Sequence, residues 1–146
     1  MQTKELQGEI VSNMRKWQKI ENATATSTAN IMEKTDNPVV RLIMEIIQQD
    51  SRMHYRVQEF IADSIEHKAI RLTPDELIQV WEMIEQHMQL ELKSIELAEQ
   101  ALKSTRRQQG MIIPDYLINY LLQDEKKHSD LLKNMADIKK GIYRSV

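Results

Sequence analysis

The chain has 146 residues, a formal net charge of −2, 5% aromatic residues, three glycines, three prolines and no cysteine. That length suits one domain, residues 1–146, with a real core. The near-neutral balance gives no basic field for nucleic acid, and the missing thiols exclude disulfides, thiolate metal sites and thiol nucleophiles, so any metal must be held by histidine and carboxylate.

No apolar run approaches the ~20 residues that span a bilayer. The opening MQTKELQGEI also lacks the apolar stretch of a secretory signal, so a cytoplasmic protein without a membrane partner is expected. Abundant Glu, Gln, Lys, Leu, Ile and Met form a helix-building inventory with little strand material. Pro38 after KTDN, Pro74 after Thr73 and Pro114 after Gly110 can each stand in the first turn of a helix, where a missing N–H costs nothing. Three breaks predict four helices, over residues 4–33, 38–67, 74–108 and 114–141. Thr73 with Glu76 fits a capping box, and Asp36 and Asn37 offer a cap before Pro38. At ~1.5 Å per residue these helices run to about 40–50 Å, and short loops between them predict an all-α four-helix bundle.

Apolar stripes at helical spacing mark the faces expected to be buried. They run Ile10, Met14, Trp17, Glu21, Thr24, Thr28, Ile31 on the first helix and Ile43, Ile47, Asp50, His54, Val57, Ile61, Ile65 on the second. The third carries Leu77, Trp81, Ile84, His87 or Met88, Glu91, Ile95, Ala98, Leu102, and the fourth Leu117, Leu121, Asp124, His128, Leu131, Met135, Ile138. Glu85, Glu96, Glu99 and Lys103 read as a solvated outer face, His67 as a surface residue near a helix end, and the nine methionines as core filler.

Each stripe admits a carboxylate near its middle, and two or three add a histidine. Four buried carboxylates would repel one another, so a cation is expected between them. Carboxylate and imidazole suit iron, manganese or zinc, and i, i+3 or i, i+4 spacing lets one helix offer two ligands. The segments QDSRMH at 49–54 and QDEKKH at 123–128 repeat an Asp four positions before a His.

Glu21 followed by DSRMH, and Glu91 followed by DEKKH, resemble the ferritin-like di-iron carboxylate proteins, which include bacterioferritin and rubrerythrin; in that class a Glu on one helix and a Glu-x-x-His on the next occur twice in one bundle. The resemblance spans nearly the whole chain. It implies two metal ions, most naturally iron, held by Glu21, Glu91, His54 and His128 with Asp50 and either Asp124 or Glu125, and His87 as an added ligand. It also implies Fe(II) oxidation or peroxide reduction. Glu125 to His128 is a full Glu-x-x-His, whereas Ser51 stands where the first copy would have its glutamate, leaving Asp50 beside His54. That departure keeps open a catalytically silent bundle with a structural or sensory metal, or an interaction module. A loop of about six residues between the second and third helices reaches at most ~20 Å, which predicts an up-down-up-down path, while the resemblance implies a long crossover with Ile61 to Leu72 partly unwound. The long exposed helix faces allow a homodimer or a larger homo-oligomer.

Overall fold

The computed structural model describes residues 2–68 and 70–141. They form four helices and no strand: α1 Thr3–Lys34, α2 Pro38–Glu66, α3 Pro74–Arg106 and α4 Ile112–Lys140. The all-α expectation and the helix count hold, with ends displaced by at most two residues. α2 stays helical through Glu66, so unwinding does not reach back to Ile61. Among the described residues no helix is long and apolar enough to cross a membrane.

The helix starts follow from local chemistry. Asn37 Oδ1 accepts from the backbone N–H groups of Val39 at 2.9 Å and Val40 at 3.2 Å, directly before Pro38. Thr73 Oγ1 accepts from the Glu76 N–H while the Glu76 carboxylate accepts from the Thr73 N–H, closing the capping box. Gly141 ends α4 at φ 71°, a left-handed conformation that glycine adopts without a Cβ clash.

The chain divides into two compact units, Met1–Ile70 and Arg71–Val146. Each is a helical hairpin, α1 against α2 and α3 against α4. In the first, Arg41 at the start of α2 donates to the Met32 and Thr35 carbonyls and so satisfies the open end of α1. In the second, Asp115 in the first turn of α4 accepts from Thr105 Oγ1 at 3.0 Å and stands 3.8 Å from Arg106. Both turns are therefore fixed by side chains reaching back across them.

The seam of the first hairpin is unusually polar. Gln18, Glu21 and Thr28 of α1 and Ser51, Gln58 and Ala62 of α2 are its buried residues. Gln18 Nε2 donates to Glu59 Oε2 at 2.7 Å and to the Tyr55 carbonyl at 3.3 Å, Gln48 Nε2 reaches the Ala25 carbonyl at 3.2 Å, and Arg15 binds Glu59 at 2.6 Å. Polar side chains can occupy a seam when their hydrogen bonds are met across it. The second seam is more apolar, built on Leu77, Glu91 and Leu102 of α3 with Leu122 and Ser129 of α4.

Three of the expected stripes are displaced. On α1, Ile10, Trp17 and Ile31 are exposed while Met14, Glu21 and Thr28 turn into the seam, and on α2 Ile47, His54 and Val57 are exposed. On α4 the buried residues are Leu122 and Ser129, one step beyond Leu121 and His128. Only the α3 stripe matches, with Met88 rather than His87 at its middle. On α1, α2 and α4 the most buried positions thus lie to one side of the expected stripe. Met14, Met44, Met88 and Met135 are half-buried as core filler would be, but Met53 is exposed.

Replacing Asn37 or Thr73 by Ala is expected to lower unfolding stability by about 1 kcal/mol each, measured by urea denaturation followed by circular dichroism. A loss below about 0.3 kcal/mol at both positions would show that these caps do not hold the helix starts.

Candidate metal centre

Glu91 sits on the α3 seam with only 8% of its surface exposed, carried inward by the same periodicity that buries Leu77 and Leu102. One turn earlier on α3, His87 places Nε2 at 2.9 Å from Glu91 Oε1. A carboxylate only accepts hydrogen bonds, so against an ionised Glu91 this nitrogen carries the proton and donates. The bond fixes the carboxylate and leaves Oε2 as its second face. Across the seam, Glu125 and His128 lie three residues apart on one side of α4. His128 Nδ1 is 3.6 Å from Glu91 Oε2 and 3.8 Å from Glu125 Oε2.

One ligand atom each from Glu91, Glu125 and His128 lies within 4.8 Å of the others. Donors about 2.0–2.2 Å from a shared ion stand about 3–4.4 Å from one another, so small side-chain rotations would close the set around a cation. Glu91 Oε2 is buried and has no hydrogen-bond partner among the described residues. A buried acceptor in that state calls for a proton, a water or a cation.

The two carboxyls titrate against each other. Glu91 is held below the ordinary carboxylate range, first by a hydrogen bond from the Glu125 carboxyl, against the opposing effect of burial, and then by the His87 hydrogen bond and the neighbouring imidazoles. Glu125 is pushed above that range by the same hydrogen bond, by burial and by the Glu91 charge. The two carboxyls thus diverge, Glu91 favouring the ionised form and Glu125 the protonated one. A divalent ion would displace a proton held at Glu125.

Asp124 is turned elsewhere. Its Oδ1 is 2.8 Å from Lys127 Nζ and its Oδ2 is 3.4 Å from His128 Nε2. Of the two candidates on α4, the geometry brings Glu125 to Glu91, while Asp124 can steady the far nitrogen of His128.

The first hairpin repeats part of the arrangement. Glu21, buried at 6% exposure, receives His54 Nδ1 at 3.3 Å and Gln58 Nε2 at 3.4 Å, both on Oε2. As with Glu91 and His128, a seam glutamate meets Nδ1 of a histidine on the second helix. Ser51 is buried three residues before His54, where the second hairpin has Glu125, so this pair has no second carboxylate. Asp50 is half-buried and forms no ion pair among the described residues.

Gln18 and Gln58 are not marked by the apolar stripes, and only their helical spacing along the seam signals them; among the described residues Gln58 Oε1 is a second buried acceptor without a partner. Glu85 is exposed, as expected of the outer face of α3, and its Oε1 also accepts the Trp81 indole N–H at 2.8 Å. No family model matches the chain, and neither a curated protein nor a solved structure is significantly similar to it.

The proton held at Glu125 sets a pH dependence. A carboxyl whose folded pKa is raised contributes stability below its unfolded pKa and loses it as pH rises through the folded value. For Glu125 that loss begins above the ordinary value of 4.5. Gln at 125 mimics the protonated acid at every pH, so thermal melts of the metal-free protein from about pH 5 to 8 should show wild type losing stability relative to Glu125→Gln as pH rises. Parallel profiles would mean that Glu125 holds no such proton.

Proposed function

We propose that the protein binds a divalent first-row transition metal through Glu91, Glu125 and His128, with His87 positioning Glu91. The observation that carries this is the buried Glu91 carboxylate with a second carboxyl and an imidazole within 4.8 Å of its ligand atom. Two carboxylates and one nitrogen form a borderline-hard donor set that suits Fe(II), Mn(II) or Zn(II) and not a soft monovalent ion.

We further propose that the protein is a ferritin-like carboxylate protein that uses iron, with Glu21 and His54 of the first hairpin as candidate ligands for a second ion. The repeated contact of a seam glutamate with Nδ1 of a histidine on the following helix supports this. Bound iron would supply one-electron chemistry toward dioxygen or hydrogen peroxide, with Fe(II) itself or a partner as the electron source. The protein residues hold the ion, and His87 keeps Glu91 Oε2 free to bind it.

A second reading, a structural or sensory metal without turnover, is favoured by Ser51. With a hydroxyl in place of the second carboxylate, the first hairpin offers fewer anionic ligands.

Anaerobic titration of metal-free protein with Fe(II), then exposure to air, tests both readings. Two ions per chain followed by rapid ferric absorbance supports the redox centre; one stable ion with no ferric signal supports the second reading; no binding overturns the proposal. Glu91→Gln and His128→Ala should abolish binding at the second hairpin, while His87→Ala should weaken it there about 10- to 100-fold, as loss of a hydrogen bond to a ligand does. Calorimetry in buffers of differing ionisation enthalpy should find protons released on binding at the second hairpin, with affinity rising as pH rises.

A further inference from the structure

The second hairpin also holds a cavity of about 460 Å³ that shares no lining residue with the Glu91 cluster. Its α3 wall presents Trp81, Met88 and Leu92, and its α4 wall presents Lys133, Lys139 and Lys140. The volume falls within the range of small-molecule sites, about 300–1,000 Å³.

Charge and apolar surface are segregated in a way that describes a ligand. The one carboxylate in the lining, Glu85, is engaged by the Trp81 indole N–H at 2.8 Å. None of the three lysines has a carboxylate within ion-pair distance among the described residues, and Lys139 Nζ instead lies 4.4 Å from the centroid of the Trp81 ring. Lysines in the last turn of a helix are favoured by the helix dipole alone. The dipole does not account for an indole ring, a thioether and a leucine gathered opposite them around a cavity. Three ammonium groups against one carboxylate leave a net positive rim, and beside that rim lies a flat apolar wall.

We propose that this cavity binds an amphiphilic monoanion, a medium-chain carboxylate, with its carboxylate among the three lysines and its alkyl chain along Trp81, Met88 and Leu92. Lys139 would leave the indole face for the carboxylate and free the ring to meet the chain. The site is independent of the metal reading.

The test uses the full chain carrying Trp17→Phe, so that Trp81 is the only indole, titrated with decanoate below its micelle concentration. A saturable change in Trp81 emission is expected, with affinity rising about two- to fourfold for each methylene from hexanoate to decanoate. Lys133→Glu with Lys140→Glu should weaken decanoate at least tenfold and reverse the preference toward decyltrimethylammonium, with helicity by circular dichroism unchanged. Absence of a saturable response, equal binding of decanol and decanoate, or unaltered decanoate affinity in the lysine variant would each overturn the proposal. A response to phosphatidylglycerol vesicles but not to free decanoate would overturn it as well.

Discussion

A carboxylate placed on the seam between two helices is the constraint from which the site chemistry follows. Glu91 is drawn inward by the periodicity that buries Leu77 and Leu102, and a lone ionised carboxylate there is unfavourable. The structure answers with His87 on one oxygen and the Glu125 carboxyl with His128 toward the other. Each partner is reached by an i, i+4 step on α3 or by i, i+3 spacing on α4, so ordinary helix geometry assembles the cluster without any irregular backbone; the only left-handed residues described are Gly110 and Gly141. The same constraint operates at Glu21, where an amide and an imidazole take the place of the second carboxyl.

The two hairpins differ most at one pair of positions. Glu125 and Ser51 each precede the seam histidine by three residues. A glutamate there brings in a second carboxyl, whereas Ser51, buried at 4% exposure, offers only a hydroxyl. The first hairpin then fills its seam with Gln18, Gln58 and Thr28, the two amides donating across it to the carboxylates of Glu59 and Glu21.

Much of the fold was legible in the sequence because its signals are local. Asn37 before Pro38 and Thr73 before Pro74 announce helix starts through donors they satisfy within three residues, and the breaks fall where expected. Pairing was less legible. A stripe such as Ile10, Met14, Trp17, Glu21 says which face is apolar but not which edge of it meets the nearest helix, because one step along the chain turns the surface by about 100°. That one-residue offset put Leu121 and His128 in the expected core and left Leu122 and Ser129 out. The site was legible in its residue types and in the choice between two carboxylates it posed. Lys127, three residues beyond Asp124, pairs with it at 2.8 Å while Glu125 faces Glu91; the i, i+3 spacing permits that ion pair but does not by itself choose between the two carboxylates.

The side chains that clamp the two turns bear on how the chain acquires its shape. Arg41 grips carbonyls six and nine residues before it, and Asp115 binds Thr105 ten residues before it, so these contacts lie close in sequence and beside their loops. Closing a short loop costs little entropy and takes tens of nanoseconds, far less than bringing distant segments together. A hairpin that started from its own turn and zipped toward its open end would bring the seam glutamate in only after the loop end had formed. Each acidic residue would then stay in water until its partners on the opposite helix arrived.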